Sequence, residues 1–300
     1  MNLKDEILKL KLEKDALILA HYYQRAEIQD IADYVGDSYY LSKVAKDSLN
    51  KTIVFCGVKF MAESAKILSP NKTILLPVLD AGCPMADMAN SNTLLELKAK
   101  YPSALVVSYI NSTTEVKALS DVCVTSSSAL KIINNIKNKD IIFLPDKNLG
   151  EYISEHFPNK NFVLWPGSCI THKKVQKKHI QALKDLRPNA LVLVHPECEK
   201  EIRNLADFLG STGELIDFSS NNPANEFIVV TESGVIHEMK KRSPEKEFYV
   251  PKTTMTCLNM KKTTLESVLD CLKNNQFEIK INEDIRVKAL KSLENMHKLS

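Results

Sequence analysis

The sequence predicts an α/β protein of three similar three-layer αβα repeats, with parallel sheets arranged around a pseudo-threefold axis. Three observations predict it. The segment Ala32-Asp33-Tyr34-Val35-Gly36-Asp37-Ser38 recurs as Ser120-Asp121-Val122-Cys123-Val124-Thr125-Ser126 and again as Ala206-Asp207-Phe208-Leu209-Gly210-Ser211-Thr212, at offsets of 88 and 86 residues. The same offsets carry His21 onto Tyr109 and His195, and Tyr23 onto Asn111 and Glu197. Cys83, Cys169 and Cys257 follow the same rhythm, 86 and 88 residues apart. Self-similarity at a fixed spacing marks a repeated supersecondary unit. A repeat that delivers one cysteine per copy can build one shared site.

Each copy opens on an apolar, β-branched-rich run, at 16–20, 104–108 and 190–194, which reads as a buried strand. The polar pairs His21/Tyr23, Tyr109/Asn111 and His195/Glu197 stand at its carboxyl end. A helical segment and the Asp-apolar-apolar strand of the recurring motif follow. A second helix is expected to start at Ser38, Ser126 or Thr212, with that hydroxyl as its N-cap, because a Ser or Thr oxygen accepts an orphan backbone N–H. Next come a strand (52–56, 141–144, 227–230), a third helix (59–68, 148–156, 234–241) and a last strand (73–76, 161–164, 247–250). Pro77, Pro166 or Pro251 and then the cysteine lie just beyond. Strands alternating with crossover helices make parallel sheets. The expected division is 1–86, 87–172 and 173–260, each with one of the three cysteines, and a helical tail, 261–300, packed on a repeat.

Composition bounds the function. Lys+Arg 40 against Asp+Glu 37 leaves a net charge of +3, far from the basic footprint of a nucleic-acid binder. The short basic runs at Lys173-Lys174, Lys177-Lys178 and Lys240-Lys241-Arg242 read as solvated helix faces. No apolar run approaches the ~18 residues that span a bilayer, and residues 1–14 lack the basic start and apolar core of a signal peptide. Seven cysteines without a CxxC pair argue against a secreted disulfide framework. A cytoplasmic protein with neither nucleic-acid nor membrane partners is expected. Neither G-x-G-x-x-G nor a P-loop is present, which removes support for a nucleotide site.

A single free cysteine is by default a small buried hydrophobe. Cys56, Cys123, Cys198 and Cys271 have no equivalents in the other copies, as core residues would not need them. Only Cys83, Cys169 and Cys257 are in register, each on a loop past a strand. Structural zinc wants four ligands in a closed tetrahedron. Three thiolates about a pseudo-threefold axis suit a [4Fe–4S] cluster with one open iron, a site for Lewis-acid chemistry. Open α/β sheets bind ligands beyond the carboxyl ends of their strands, where every repeated polar residue falls. Three helix starts would draw an anionic substrate, and Glu197 and Tyr23 are the candidates for moving protons.

At these residues the chain resembles quinolinate synthase, nearly end to end. The resemblance is carried by His21-Tyr22-Tyr23-Gln24, Gly36-Asp37-Ser38, Cys83-Pro84-Met85-Ala86, Tyr109-Ile110-Asn111-Ser112-Thr113, Pro145-Asp146-Lys147-Asn148-Leu149-Gly150, His195-Pro196-Glu197-Cys198, Gly210-Ser211-Thr212-Gly213 and Asn259-Met260-Lys261-Lys262-Thr263-Thr264. It implies a transferase of NAD biosynthesis that condenses iminosuccinate with dihydroxyacetone phosphate, losing phosphate and two waters. The iminosuccinate would come from an L-aspartate oxidase or dehydrogenase. Carried over, the resemblance makes Cys83, Cys169 and Cys257 the ligands of a [4Fe–4S] cluster. His21, Ser38, Tyr109, Asn111, Ser126, His195, Glu197 and Thr212 would bind substrate, and Tyr23, Glu197, His195 and His172 would act in catalysis. Two rivals remain at this point: a three-repeat cluster enzyme of the diphthamide-synthesis type, and a non-catalytic α/β metabolite-binding protein with buried or zinc-bound cysteines.

Overall fold

The computed structural model describes residues 2–251 and 255–300. The first copy runs α1 (Leu3–Glu13), β1 (Ala16–His21), α2 (Ala26–Ile31), β2 (Tyr34–Gly36), α3 (Ser38–Asp47), β3 (Thr52–Cys56), α4 (Lys59–Leu68) and β4 (Thr73–Leu75). The second runs α5 (Pro84–Asp87), α6 (Ser91–Lys100), β5 (Leu105–Tyr109), α7 (Thr114–Leu119), β6 (Val122–Val124), α8 (Ala129–Asn135), β7 (Asp140–Leu144), α9 (Lys147–His156) and β8 (Asn161–Leu164). The third runs α10 (Lys177–Leu186), β9 (Leu191–Val194), α11 (Lys200–Arg203), β10 (Phe208–Leu209), α12 (Thr212–Asn221), β11 (Glu226–Val230), α13 (Val235–Arg242) and β12 (Glu247–Tyr249). α14 (Leu265–Asn274) and α15 (Glu283–Leu299) complete the chain.

The described residues form three four-stranded sheets of one topology, β2-β1-β3-β4, β6-β5-β7-β8 and β10-β9-β11-β12, with every pairing within them parallel. The three-repeat α/β architecture expected from the sequence is therefore present. All six residues of β1 are buried. Leu17 and Leu19 pack into one core while Ala16, Ile18 and Ala20 pack into another on the opposite face. That two-sided burial is why the strand reads as a continuous apolar run rather than an alternating one.

The helix starts correct one expectation. The N-cap of α3 is Asp37, whose side chain accepts from the Tyr40 N–H, and that of α12 is Ser211, in a capping box with Glu214. α8 begins later, after Ser128. Ser38 and Thr212 are thus the first helical residues and Ser126 lies in the turn before α8. Because Asp37 and Ser211 do the capping, the Ser38 and Thr212 hydroxyls are not needed for it.

The first two copies share one hydrophobic core, joined by Leu293 and Met296 of α15. α14 covers the far side of the first sheet with α1. No helix among the described residues is long and apolar enough to cross a membrane.

Candidate active site

The carboxyl ends of the three sheets face one cavity of about 240 Å³. Its wall includes every residue singled out in the sequence: His21, Tyr23, Ser38, Cys83, Tyr109, Asn111, Ser126, Cys169, His172, His195, Glu197, Thr212 and Cys257. Parallel strands from three copies stop at one place, so equivalent positions 88 and 86 residues apart become neighbours. Tyr109, the last residue of β5, donates its phenol to Glu197 Oε1 across the cavity at 2.7 Å.

Two of the equivalent positions share a detail of backbone geometry. His21 Nδ1 accepts from the Tyr23 N–H at 3.1 Å, and His195 Nδ1 accepts from the Glu197 N–H at 3.3 Å. An accepting Nδ1 carries a lone pair, so the neutral ring holds its proton on Nε2. Burial, aided by Lys261 and His195 against the pull of Glu197, lowers the His21 imidazole to about 3. Burial likewise lowers His195 to about 3, again against Glu197. Both rings are neutral N–H donors at neutral pH.

A chain of hydrogen bonds crosses the site. Tyr23 Oη meets Thr212 Oγ1 and Thr231 Oγ1, both at 2.8 Å. Thr231 Oγ1 meets His172 Nε2 at 3.0 Å, and His172 Nδ1 meets Glu197 Oε2 at 2.9 Å. Glu197 closes the run on Tyr109. Burial alone would raise the Glu197 carboxyl, but His172, His195 and the Tyr109 hydroxyl outweigh it and hold the group below the ordinary carboxylate range. Burial and then the Glu197 charge push both the Tyr23 and the Tyr109 phenol up. The run therefore has an ionised acceptor and phenols that keep their protons.

Thr231 escaped the sequence reading. Its equivalents are Gly57 and Pro145, so the repeat gives no polar signal there. Lys261, which the sequence offers only as part of Asn259-Met260-Lys261-Lys262, lies close by; its ammonium reaches the Tyr23 carbonyl at 2.6 Å and Glu232 Oε1 at 3.1 Å. Asn111 Oδ1 is buried in the cavity wall with no hydrogen-bond partner among the described residues. A buried acceptor of this kind is expensive to leave unpaired and is suited to a donor on a bound molecule.

None of the seven cysteines is in a disulfide. Cys83 caps α5 with Pro84 in the first turn, and Cys169 and Cys257 follow β8 and β12. The other four, Cys56, Cys123, Cys198 and Cys271, are fully buried in hydrophobic cores. Cys169 Sγ, a His172 ring nitrogen and a Glu197 oxygen lie within 4.8 Å of one another, a donor set that could hold a metal ion. Burial raises the Cys83 thiol to about 12, and the Cys169 and Cys257 thiols are raised as well. These sulfurs would lose their protons to an incoming metal.

The family model described as quinolinate synthetase A protein matches residues 5–298. The chain belongs to that family. It is 60% identical over 299 residues to a quinolinate synthase of Clostridium perfringens, covering 100% of this chain and 99% of that protein. It is 57% identical over 295 residues to a quinolinate synthase of Clostridioides difficile, covering 98% and 97%. A quinolinate synthase of Caldicellulosiruptor bescii is 54% identical over 294 residues, with the same shares covered. In this chain the cavity joins a threefold scaffold to asymmetric chemistry: His21, Tyr109 and His195 at one position, Tyr23, Asn111 and Glu197 two residues on.

Proposed function

We propose that this chain is a quinolinate synthase that condenses iminosuccinate with dihydroxyacetone phosphate, releasing phosphate and two waters. The observation that carries the reading is the meeting of three in-register cysteines with Tyr23, His172, Glu197 and Tyr109 in one cavity, those four joined by a hydrogen-bonded run that passes through the buried Thr231.

Three thiols from three separate loops fit a [4Fe–4S] cluster, a group held by soft sulfur donors. Cys83, Cys169 and Cys257 would hold it, and when bound it supplies Lewis-acid activation at the iron that no cysteine ligates. The neutral His21 and His195 N–H donors, Asn111 and the hydroxyls of Ser38, Ser126 and Thr212 bind and orient the substrate's carboxylates and phosphate. The α3 and α12 N-termini add their partial positive charge.

Condensation and dehydration each need a proton taken from carbon or nitrogen and one returned to a departing oxygen. Glu197, ionised and in contact with His172, is the base. Tyr23 is the proton donor, resupplied through Thr231 and His172. Tyr109 holds the Glu197 carboxylate in orientation. An L-aspartate oxidase or dehydrogenase would supply the iminosuccinate, and the division at residues 86, 172 and 260 would leave one cysteine to each unit.

The test is iron and acid-labile sulfide per chain after anaerobic purification, alongside a quinolinate assay. About four of each, lost in Cys257→Ala with the fold kept, is expected. One zinc or no metal, under conditions in which a control cluster protein survives, would overturn the reading.

A further inference from the structure

One inner strand of each sheet, β3, β7 or β11, is followed two residues on by Val58, Asp146 or Glu232, at equivalent positions. The next residue stitches the cysteine loop to that strand in all three copies. Lys59 N–H donates to the Ala81 carbonyl at 2.8 Å, Lys147 to Gly167 at 2.8 Å and Ser233 to Met255 at 2.7 Å. Each of these carbonyls lies two residues before a cysteine.

The second and third copies carry an additional stitch. Asp146 Oδ2 accepts from the Cys169 N–H at 3.0 Å, and Glu232 Oε1 accepts from the Cys257 N–H at 3.1 Å. The other oxygen of each carboxylate holds the start of the following helix: Asp146 Oδ1 accepts from Leu149 N at 2.8 Å and Glu232 Oε2 from Gly234 N at 2.6 Å. Both acids are 0% exposed. Capping alone does not require a buried carboxyl, since a threonine caps α7. The second oxygen gives the reason for Asp146; Glu232 is in addition paired with Lys261 Nζ at 3.1 Å. Val58 has no acceptor, and Cys83 is placed differently, by its position at the start of α5 before Pro84.

We propose that Asp146 and Glu232 are positioning residues for the second and third metal-ligating thiols. Each clamps the cysteine's own N–H to the end of an inner strand, so Cys169 and Cys257 are preset by a side chain, whereas Cys83 is set by the start of α5. The inference rests on the reading of the three cysteines as cluster ligands.

Asp146→Asn is a narrow test: the amide keeps an oxygen to cap α9 and loses the acceptor facing Cys169. Glu232→Gln removes the acceptor facing Cys257 and also the Lys261 ion pair. Lys261→Met, which breaks the pair and keeps the clamp, is its control and should lose iron at the wild-type rate. Failure of one acid variant to fold leaves the other decisive. Cluster content and the rate of iron loss to EDTA would be measured on anaerobically reconstituted protein. Each acid variant should lose iron about ten-fold faster than wild type, with unchanged secondary structure by circular dichroism. A wild-type loss rate in a folded, iron-loaded acid variant would overturn the inference. A wild-type protein that takes up no iron would instead overturn the cluster reading, and this inference with it.

Discussion

At the residue scale, the site is a threefold frame filled unequally. Tyr109 stands where the other copies have His, and Glu197 where they have Tyr and Asn, so a repeated scaffold yields one acid, two neutral imidazole donors and two phenols. Glu197→Gln should keep the metal content and abolish turnover; unchanged turnover would move the base elsewhere. Thr231→Val removes the hydroxyl between Tyr23 and His172 and should lower kcat about 10²-fold with KM little altered. A rise in KM alone would make Thr231 a packing residue.

Histidine burial also sets a pH dependence. His21 and His195 titrate at about 3 in the fold and near 6.5 in an unfolded chain. Between those values the unfolded chain binds protons that the fold refuses. Stability is therefore lost as pH falls from 6.5, by about 1.4 kcal/mol per pH unit for each ring. Melting of cluster-free protein from pH 7 to 5 should show this decline, and His195→Gln should make it shallower. Equal slopes would mean that the ring is solvated.

At the element scale, the helix starts separate capping from chemistry. Ser211 Oγ accepts from Glu214 N–H and the Glu214 carboxylate accepts from Ser211 N–H, whereas Thr212 hydrogen-bonds Tyr23. Ser211→Ala should cost about 1 kcal/mol of stability in a denaturant melt. Thr212→Val should cost no more than the hydrogen bond to Tyr23, about 1 kcal/mol, and in addition impair substrate binding. The recurring motif located these helix starts to within a residue or two. It could not say whether the cap or the residue after it carries a free hydroxyl, because Ser211 and Thr212 are both good caps and the backbone angle at the boundary decides between them.

At the scale of the whole molecule, the copies are not joined alike. The first two share an apolar core bridged by α15, where Leu293 is 0% exposed. Ser292 Oγ donates to the Lys117 carbonyl and Asn295 to that of Asp121, fixing the helix further. The third copy meets the second through polar contacts, Arg203 with Glu151 and Glu155 and Asn148 with the Glu197 carbonyl. It meets the first through the Gln29 bond to the Gly234 carbonyl and through Tyr22, which packs into the third copy's own core. Leu293→Ala should cost about 2–5 kcal/mol, read as a lower denaturant midpoint for the unit containing the first two copies. A midpoint equal to wild type would show that α15 is not part of that core.

The sequence by itself determined the three-copy α/β plan, the strand-end location of the polar residues and the three cysteines set apart from the other four. Those features are written as a period and as apolar runs, which local chemistry reproduces in each copy. Only the tertiary structure decided that Thr231 links Tyr23 to His172, that Asp146 and Glu232 hold two cysteine loops, and that α15 ties two copies together. These contacts join residues from different copies or from loops far apart in the chain, where no local propensity specifies the partner. They exist because three sheets end at one cavity, and distances set by packing then select which side chains meet.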